Sequence, residues 1–213
     1  VEIGKLLESY KIQYLKEHFC ADAAQASSVA AQIGFPVALK VASKKISHKS
    51  DVGGVQLNLM GRQEVANAYE IIRRNVGEAN MNGVRVQKMA PKGFELIVGG
   101  MKDAQFGHLV LFGLGGIYVE IFKDLVFRVC PVDRQMALEM IRSIKSYKML
   151  AGARGAKPIN ESELADLIVK TSRLLVEQDV QELDFNPVIA NEHGCFVVDS
   201  RIVEKAAEDK SEY

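Results

Sequence analysis

No sign of charge prevails in this chain: 27 Lys and Arg face 27 Asp and Glu. A surface built for nucleic acid or for a strongly charged partner therefore has no overall support. Long apolar runs are missing too. None approaches the ~18 residues that a membrane span needs, and the N-terminus lacks a basic-then-apolar signal pattern. Cysteine is scarce: Cys20, Cys130 and Cys195 are far apart and odd in number. They form neither a CxxC metal pattern nor a disulfide framework, so reduced thiols in the cytoplasm are expected. Several catalytic motifs are absent as well. There is no G-x-x-x-x-G-K-S/T phosphate loop and no G-x-G-x-x-G fingerprint. Without G-x-S-x-G or HExxH, serine-hydrolase and zinc-protease chemistry lack support. The first residue is Val1 rather than methionine, as expected of a trimmed chain or a piece of a longer one.

What is present is an ordinary globular composition, 48% hydrophobic and 25% charged over 213 residues, enough for one large domain or two small ones. The hydrophobic spacing predicts helices over Gly4–Ile12, from the Asp22 cap to Gly34, over Gln63–Asn80, over Asp133–Ile144 and from the Asn160 cap to Gln178. The stripe expected to be buried on the third of these is Val65, Ala68, Ile71, Ile72 and Val76. Val37–Ala42, Val55–Leu59 and Val84–Met89 read as strands, as do "FELIVGG", "HLVLFG", "LVFRVCPV", Glu182–Ala190 and Cys195–Ile202. Helices interleaved with short strands give an α+β class. The boundary falls in "QKMAPKG", giving lobes 1–90 and 91–213, with the first helix able to pack on the other lobe.

Candidate chemistry starts at Lys40. On "VALKVA", Val37, Leu39 and Val41 share one face, and Ala38, Lys40 and Ala42 the other. Two alanines beside the only charge leave room for a ligand, and lysine suits phosphate as a point charge. A lysine snorkelling from an edge strand is the alternative. "SHKSDVGGV" follows, with His48 and Lys49 beside Gly53 and Gly54. Adjacent glycines let a backbone approach a ligand closely, although a polar turn explains them equally.

The last hairpin offers a register. If its loop is centred between Glu192 and His193, paired residue numbers sum to 385 and Asn186 lies opposite Asp199. An amide oxygen and a carboxylate meeting there suit Mg²⁺, a hard cation that keeps waters for phosphate; a hydrogen-bonded polar pair is the alternative. Glu95 either accepts ribose hydroxyls, with the crossover backbone at Lys88 and Met89 meeting an adenine edge, or is a plain surface charge. "GLGG", with Gly115 and Gly116, is by itself a weak phosphate signal. Glu120, Lys123 and Arg128 contact substrate or balance one another at the surface.

Together, "GFPVALKVASKKISHKSDVGGV", "FELIVGG...FGHLVLFGLGGIYVEIFKD", "FRVCPV" and "ELDFNPV...VVDSRIV" resemble the ATP-grasp subunit of ADP-forming acetyl-CoA (acyl-CoA) synthetases. The likeness covers nearly the whole chain and extends to the nucleotide-binding part of succinyl-CoA synthetase. It implies a two-lobed ATP-grasp fold with ATP or ADP between the lobes. Lys40 then looks like the lysine on the phosphates, Gly53 and Gly54 like the loop over them, and Glu95 like the ribose carboxylate. Asn186 and Asp199 look like the Mg²⁺ ligands, and His48 like a carrier histidine on a mobile loop. The resemblance also implies a CoA-binding partner, as a separate subunit or fused domains, that handles acyl-CoA. A non-catalytic ligand-sensing module of a protein lysine acetyltransferase stays open beside it, as does another ATP-grasp ligase, although the histidine loop argues against the latter.

Overall fold

The computed structural model describes residues 3–43, 45–46, 49–116, 124–155 and 157–203. They divide into two compact units, Leu15–Ala90 and Val1–Tyr14 with Pro91–Tyr213.

The first unit is a four-stranded sheet covered by two helices. The strands are β1 (Glu17–Cys20), β2 (Val37–Ala42), β3 (Val55–Leu59) and β4 (Gly83–Lys88), in the order β1-β4-β2-β3 with antiparallel neighbours. Helix α2 (Ala23–Ile33) starts where the Asp22 carboxylate accepts the Gln25 amide at 2.8 Å. It stops at Gly34, whose φ of 81° suits a residue without a Cβ. Helix α3 (Arg62–Val76) closes at Gly77, also at positive φ. The core joins Val37, Leu39, Val41, Val84 and Val86 on the sheet to Ala26 and Ala30 on α2 and to Val65, Ala68, Ile72 and Val76 on α3. Two expectations are corrected. The helix expected to reach Asn80 ends at Val76, and a 3₁₀ turn takes over at Glu78–Asn80. Ile71 is 42% exposed, because it sits about 100° around the helix from Ile72 and falls off the buried stripe. Strand β1 was not foreseen at all.

The second unit opens with helix α1 (Ile3–Ser9), shorter than expected because Lys11 turns the chain at φ 54°. Its six-stranded sheet holds β5 (Phe94–Asp103), β6 (Gly107–Leu114), β7 (Leu125–Val129), β8 (Glu182–Asn191), β9 (Gly194–Val197) and β10 (Ser200–Val203). The order is β10-β8-β5-β6-β7, with β9 also paired to β8. One face packs on α4 (Arg134–Ser143) and α6 (Glu161–Glu177), with the short α5 (Tyr147–Leu150) between them in sequence. Val98, Val110, Phe112, Leu183 and Phe185 meet Met140, Ile141, Leu164, Ile168 and Leu175 there. Full burial of such side chains stabilises by about 1.5–3 kcal/mol each. Asp133 and Asn160 cap α4 and α6 by accepting the amides of Met136 and Glu163. Among the described residues no helix is long and apolar enough to cross a membrane.

Candidate functional site

In the first unit the chemistry gathers on the sheet face opposite the helices. Lys40 and Arg85 are partners across β2 and β4, and Glu17 stands on β1 one strand further. The Lys40 Nζ donates to Glu17 Oε1 at 2.9 Å, and Arg85 Nη1 donates to Glu17 Oε2 at 3.0 Å. The lysine side chain is only 7% exposed. The space expected beside the ammonium is therefore filled by a carboxylate. Burial pushes the Glu17 carboxyl up most strongly of any single influence, but the charge and hydrogen bond of Lys40 and those of Arg85 together hold it below its ordinary value. Strand β2 lies between β4 and β3, so Lys40 does not snorkel from an edge.

Gly53 and Gly54 close a tight turn. The Gly53 amide donates to Ser50 O at 3.0 Å, that of Gly54 to Lys49 O at 2.8 Å, and Val41 donates to Gly54 O at 2.7 Å. A Cβ on Gly54 would stand 2.7 Å from Val41 Cγ1 and 2.8 Å from the Lys49 carbonyl. The turn itself thus demands this glycine, and both glycine amides are engaged within it. Lys88 donates to the Gly34 and Phe35 carbonyls at 2.8 and 2.7 Å, which ties its ammonium to the exit of α2. The Met89 amide donates to Pro36 O at 3.1 Å. His48 lies outside the described residues.

In the second unit the hairpin register is the expected one. Val188 faces Val197 and Ser200 faces Phe185, so paired numbers sum to 385 on both sides of residues 198–199. The strand expected over Cys195–Ile202 is interrupted there, since Pro187 across from it has no N–H for the ladder. Asn186 N donates to Asp199 O at 3.1 Å. Asp184, between Glu182 and Asn186 on the outward face, is partly buried, and its carboxyl is pushed above its ordinary value. Burial is the largest cause, followed by the negative charges of Glu182 and Asp199; Arg201 and Asn186 oppose it. An excess of negative charge next to an amide oxygen is what a hard cation relieves. Among the described residues, no three His, Cys, Asp or Glu side chains gather to hold a metal by themselves.

Glu95 is exposed near the start of β5 and lies against the "GLGG" turn. Gly115 N donates to Glu95 O at 2.7 Å, and a Cβ on Gly116 would stand 2.7 Å from Glu95 Oε2. Gly116 also holds φ 69°. Arg128 is not gathered with them. It pairs with Val110 on β6, three positions along the ladder from Gly113 and Leu125, roughly 10 Å away, and it donates to the Phe127 carbonyl. Glu120 and Lys123 lie outside the described residues. The residues that sequence reasoning missed are Glu17 and Arg85. Arg85 stands between buried Val84 and Val86 on β4, whereas Glu17 has exposed Lys16 and His18 beside it, and only the β1–β4 pairing reveals what the two face.

Residues 1–203 match the model of a family described as an ATP-grasp domain, and the chain belongs to that family. It is 43% identical over 207 residues to the acetate–CoA ligase (ADP-forming) I subunit beta of Pyrococcus furiosus, covering 95% of this chain and 89% of the subunit. It is 44% identical to the acetate–CoA ligase (ADP-forming) I of Archaeoglobus fulgidus over 93% of its length, but spans only 30% of that longer protein. In structure it matches Ca. Korarchaeum cryptofilum acetyl-coenzyme A synthetase 1 in complex with coenzyme A and Mg-AMPPCP, with the phosphohistidine segment pointing towards the nucleotide binding site. That likeness has a TM-score of 0.84 at 41% identity and covers 96% of this chain and 91% of the other.

Proposed function

We propose that this chain is the nucleotide-binding component of an ADP-forming acyl-CoA synthetase. With its partner domains it converts acyl-CoA, ADP and phosphate to acid, CoA and ATP, and the reverse. The observation that carries the reading is the hairpin register. It brings Asn186 opposite Asp199, with Asp184 beside them, in a chain of the ATP-grasp family.

In this reading Lys40 neutralises nucleotide phosphate, Glu95 accepts ribose hydroxyls, and the backbone at Lys88 and Met89 borders the base. Gly53 and Gly54 set the turn that adjoins the phosphates, and Gly115, Gly116, Glu120 and Arg128 are candidate substrate contacts. Asn186 and Asp199 would hold Mg²⁺, which supplies charge neutralisation at the phosphates. His48 carries the phosphoryl group. An oxygen of the ADP β-phosphate attacks the phosphorus of the phosphohistidine, whose other ring nitrogen carries a proton; the N–P bond breaks as the new O–P bond forms, the imidazole keeps the electron pair and, with that proton still on the other nitrogen, leaves neutral. Such transfer needs in-line positioning and charge neutralisation more than covalent chemistry from the protein.

The relatives occur both as a beta subunit and as part of a longer chain. The CoA-binding partner is accordingly a second subunit or fused domains, and acyl-CoA is handled there. We place the reaction in the cytoplasm, where the free thiols Cys20, Cys130 and Cys195 stay reduced. Titration calorimetry with ADP, with and without Mg²⁺, tests the reading. Lys40→Ala should weaken binding, and Asp199→Ala should abolish the Mg²⁺ dependence. Unchanged affinity and unchanged metal dependence in both variants would refute it.

A further inference from the structure

A carboxylate on a long side chain recognises a ligand only as well as its surroundings fix it. Glu95 is such a group. Its side chain is exposed near the start of β5, and by alternation it shares a face with Gly99, which pairs with Asp184 on β8. The end of β6 runs beside it. Leu96 pairs with Leu114, and the Gly115 amide then donates to the Glu95 carbonyl at 2.7 Å, carrying the ladder one residue further. The two main chains are so close that a Cβ on Gly115 would stand 3.0 Å from main-chain atoms of Glu95 and Leu96. At Gly116 the backbone takes φ 69°. The position a Cβ would hold there lies 2.7 Å from Glu95 Oε2 and 3.6 Å from its Cδ. The missing methyl group thus leaves the space that the carboxylate needs. All of these residues belong to the second unit.

We propose that Gly116 is a positioning residue that seats the Glu95 carboxylate for the nucleotide sugar, and so sets the preference for a ribonucleotide over an analogue without ribose hydroxyls; this rests on the reading that Glu95 accepts those hydroxyls. Gly116 acts through Glu95, whatever its own backbone touches. Any L side chain at this position brings a Cβ inside the ordinary contact distance of the carboxylate oxygen. The ladder bond and the crowded main chains hold the backbone on both sides, so the far end of the glutamate gives way, by about 1 Å. A shift of that size stretches a hydroxyl–carboxylate hydrogen bond beyond its working range.

The test is titration calorimetry of the whole chain with MgADP and with its dideoxy analogue, which lacks both ribose hydroxyls. The wild type should prefer MgADP by at least about tenfold, the worth of a hydrogen bond to a charged group, and Glu95→Ala should erase the preference. Gly116→Ala should erase most of it too, by weakening MgADP while the analogue binds as it does to the wild type. In the Glu95→Ala background, Gly116→Ala should change the ratio no further, since both act on one contact. Gly116→Asn adds a Cβ with less backbone strain, because asparagine tolerates positive φ. It should reduce the preference equally, and it serves if Gly116→Ala does not fold. An equal loss for both nucleotides in these two variants marks a structural or phosphate-side role and overturns the proposal. A full preference kept by Gly116→Asn overturns it also, because strain and not the Cβ would then account for Gly116→Ala. No preference in the wild type, or one that survives Glu95→Ala, refutes the ribose reading itself, a different failure.

Discussion

At the residue scale, the Glu17 carboxylate, paired with Lys40 and Arg85, contributes to how the first unit responds to acid. The Glu17 carboxyl is held below its ordinary value of 4.5 in the fold. Its contribution to stability is therefore present above the unfolded value and is lost as pH falls through the lower folded value. Glu17→Gln removes this contribution. It should destabilise the protein at neutral pH by about 1.5–3 kcal/mol, the worth of a hydrogen bond to a charged group. It should also flatten the stability loss below about pH 4.5, as urea titrations at several pH values would register. Gly54→Ala acts through shape alone. With a Cβ 2.7 Å from Val41 Cγ1 and 2.8 Å from a carbonyl, it should cost about 1–3 kcal/mol in the same measurement. Lys40 was legible as a functional candidate because a charge stood alone between alanines. Its partner was not, since nothing in "EHFC" shows which strand it will lie beside.

At the element scale, what the sequence announced was what local chemistry controls. Asp22, Asp133 and Asn160 each cap the helix expected of them, and Asp22→Ala should cost about 1 kcal/mol of unfolding free energy. The last hairpin was legible to the residue, because a short loop leaves one register that keeps Leu183, Phe185 and Val188 inside. Its interruption at 198–199 was not, because it answers to Pro187 on the partner strand. Strand β1 escaped notice for a related reason. Four residues with no clean alternation become a strand only by pairing with β4, and the pairing is set by distant sequence. The Ile71 error came from extending a stripe by one position on the flank of α3.

At the scale of the whole molecule, two separate cores support the two units. Phe112 is wholly buried in the larger one. Phe112→Ala should cost about 3–5 kcal/mol. Amide exchange should accelerate in β5, β6 and β8 while the amides of β2 and β4 keep their protection. Acceleration in both units alike would show that they unfold as one. The proposed reading assigns nucleotide phosphate to Lys40, Mg²⁺ to Asn186 and Asp199, and the phosphoryl-carrier role to His48. The resemblance indicated the histidine and strengthened the metal role of Asn186 and Asp199, whereas the opposition of those two residues was read from the hairpin register.

The most direct measurement of the central claim is phosphorylation of the chain by ATP radiolabelled at the γ-phosphorus, in the presence of Mg²⁺, followed by mapping of the label. The account predicts acid-labile, base-stable phosphate on the peptide spanning Ile46 to Val55, none in His48→Asn, and transfer of the wild-type label to added ADP. Label that persists in His48→Asn, or a wild-type chain that binds MgATP and takes up no label, would contradict it.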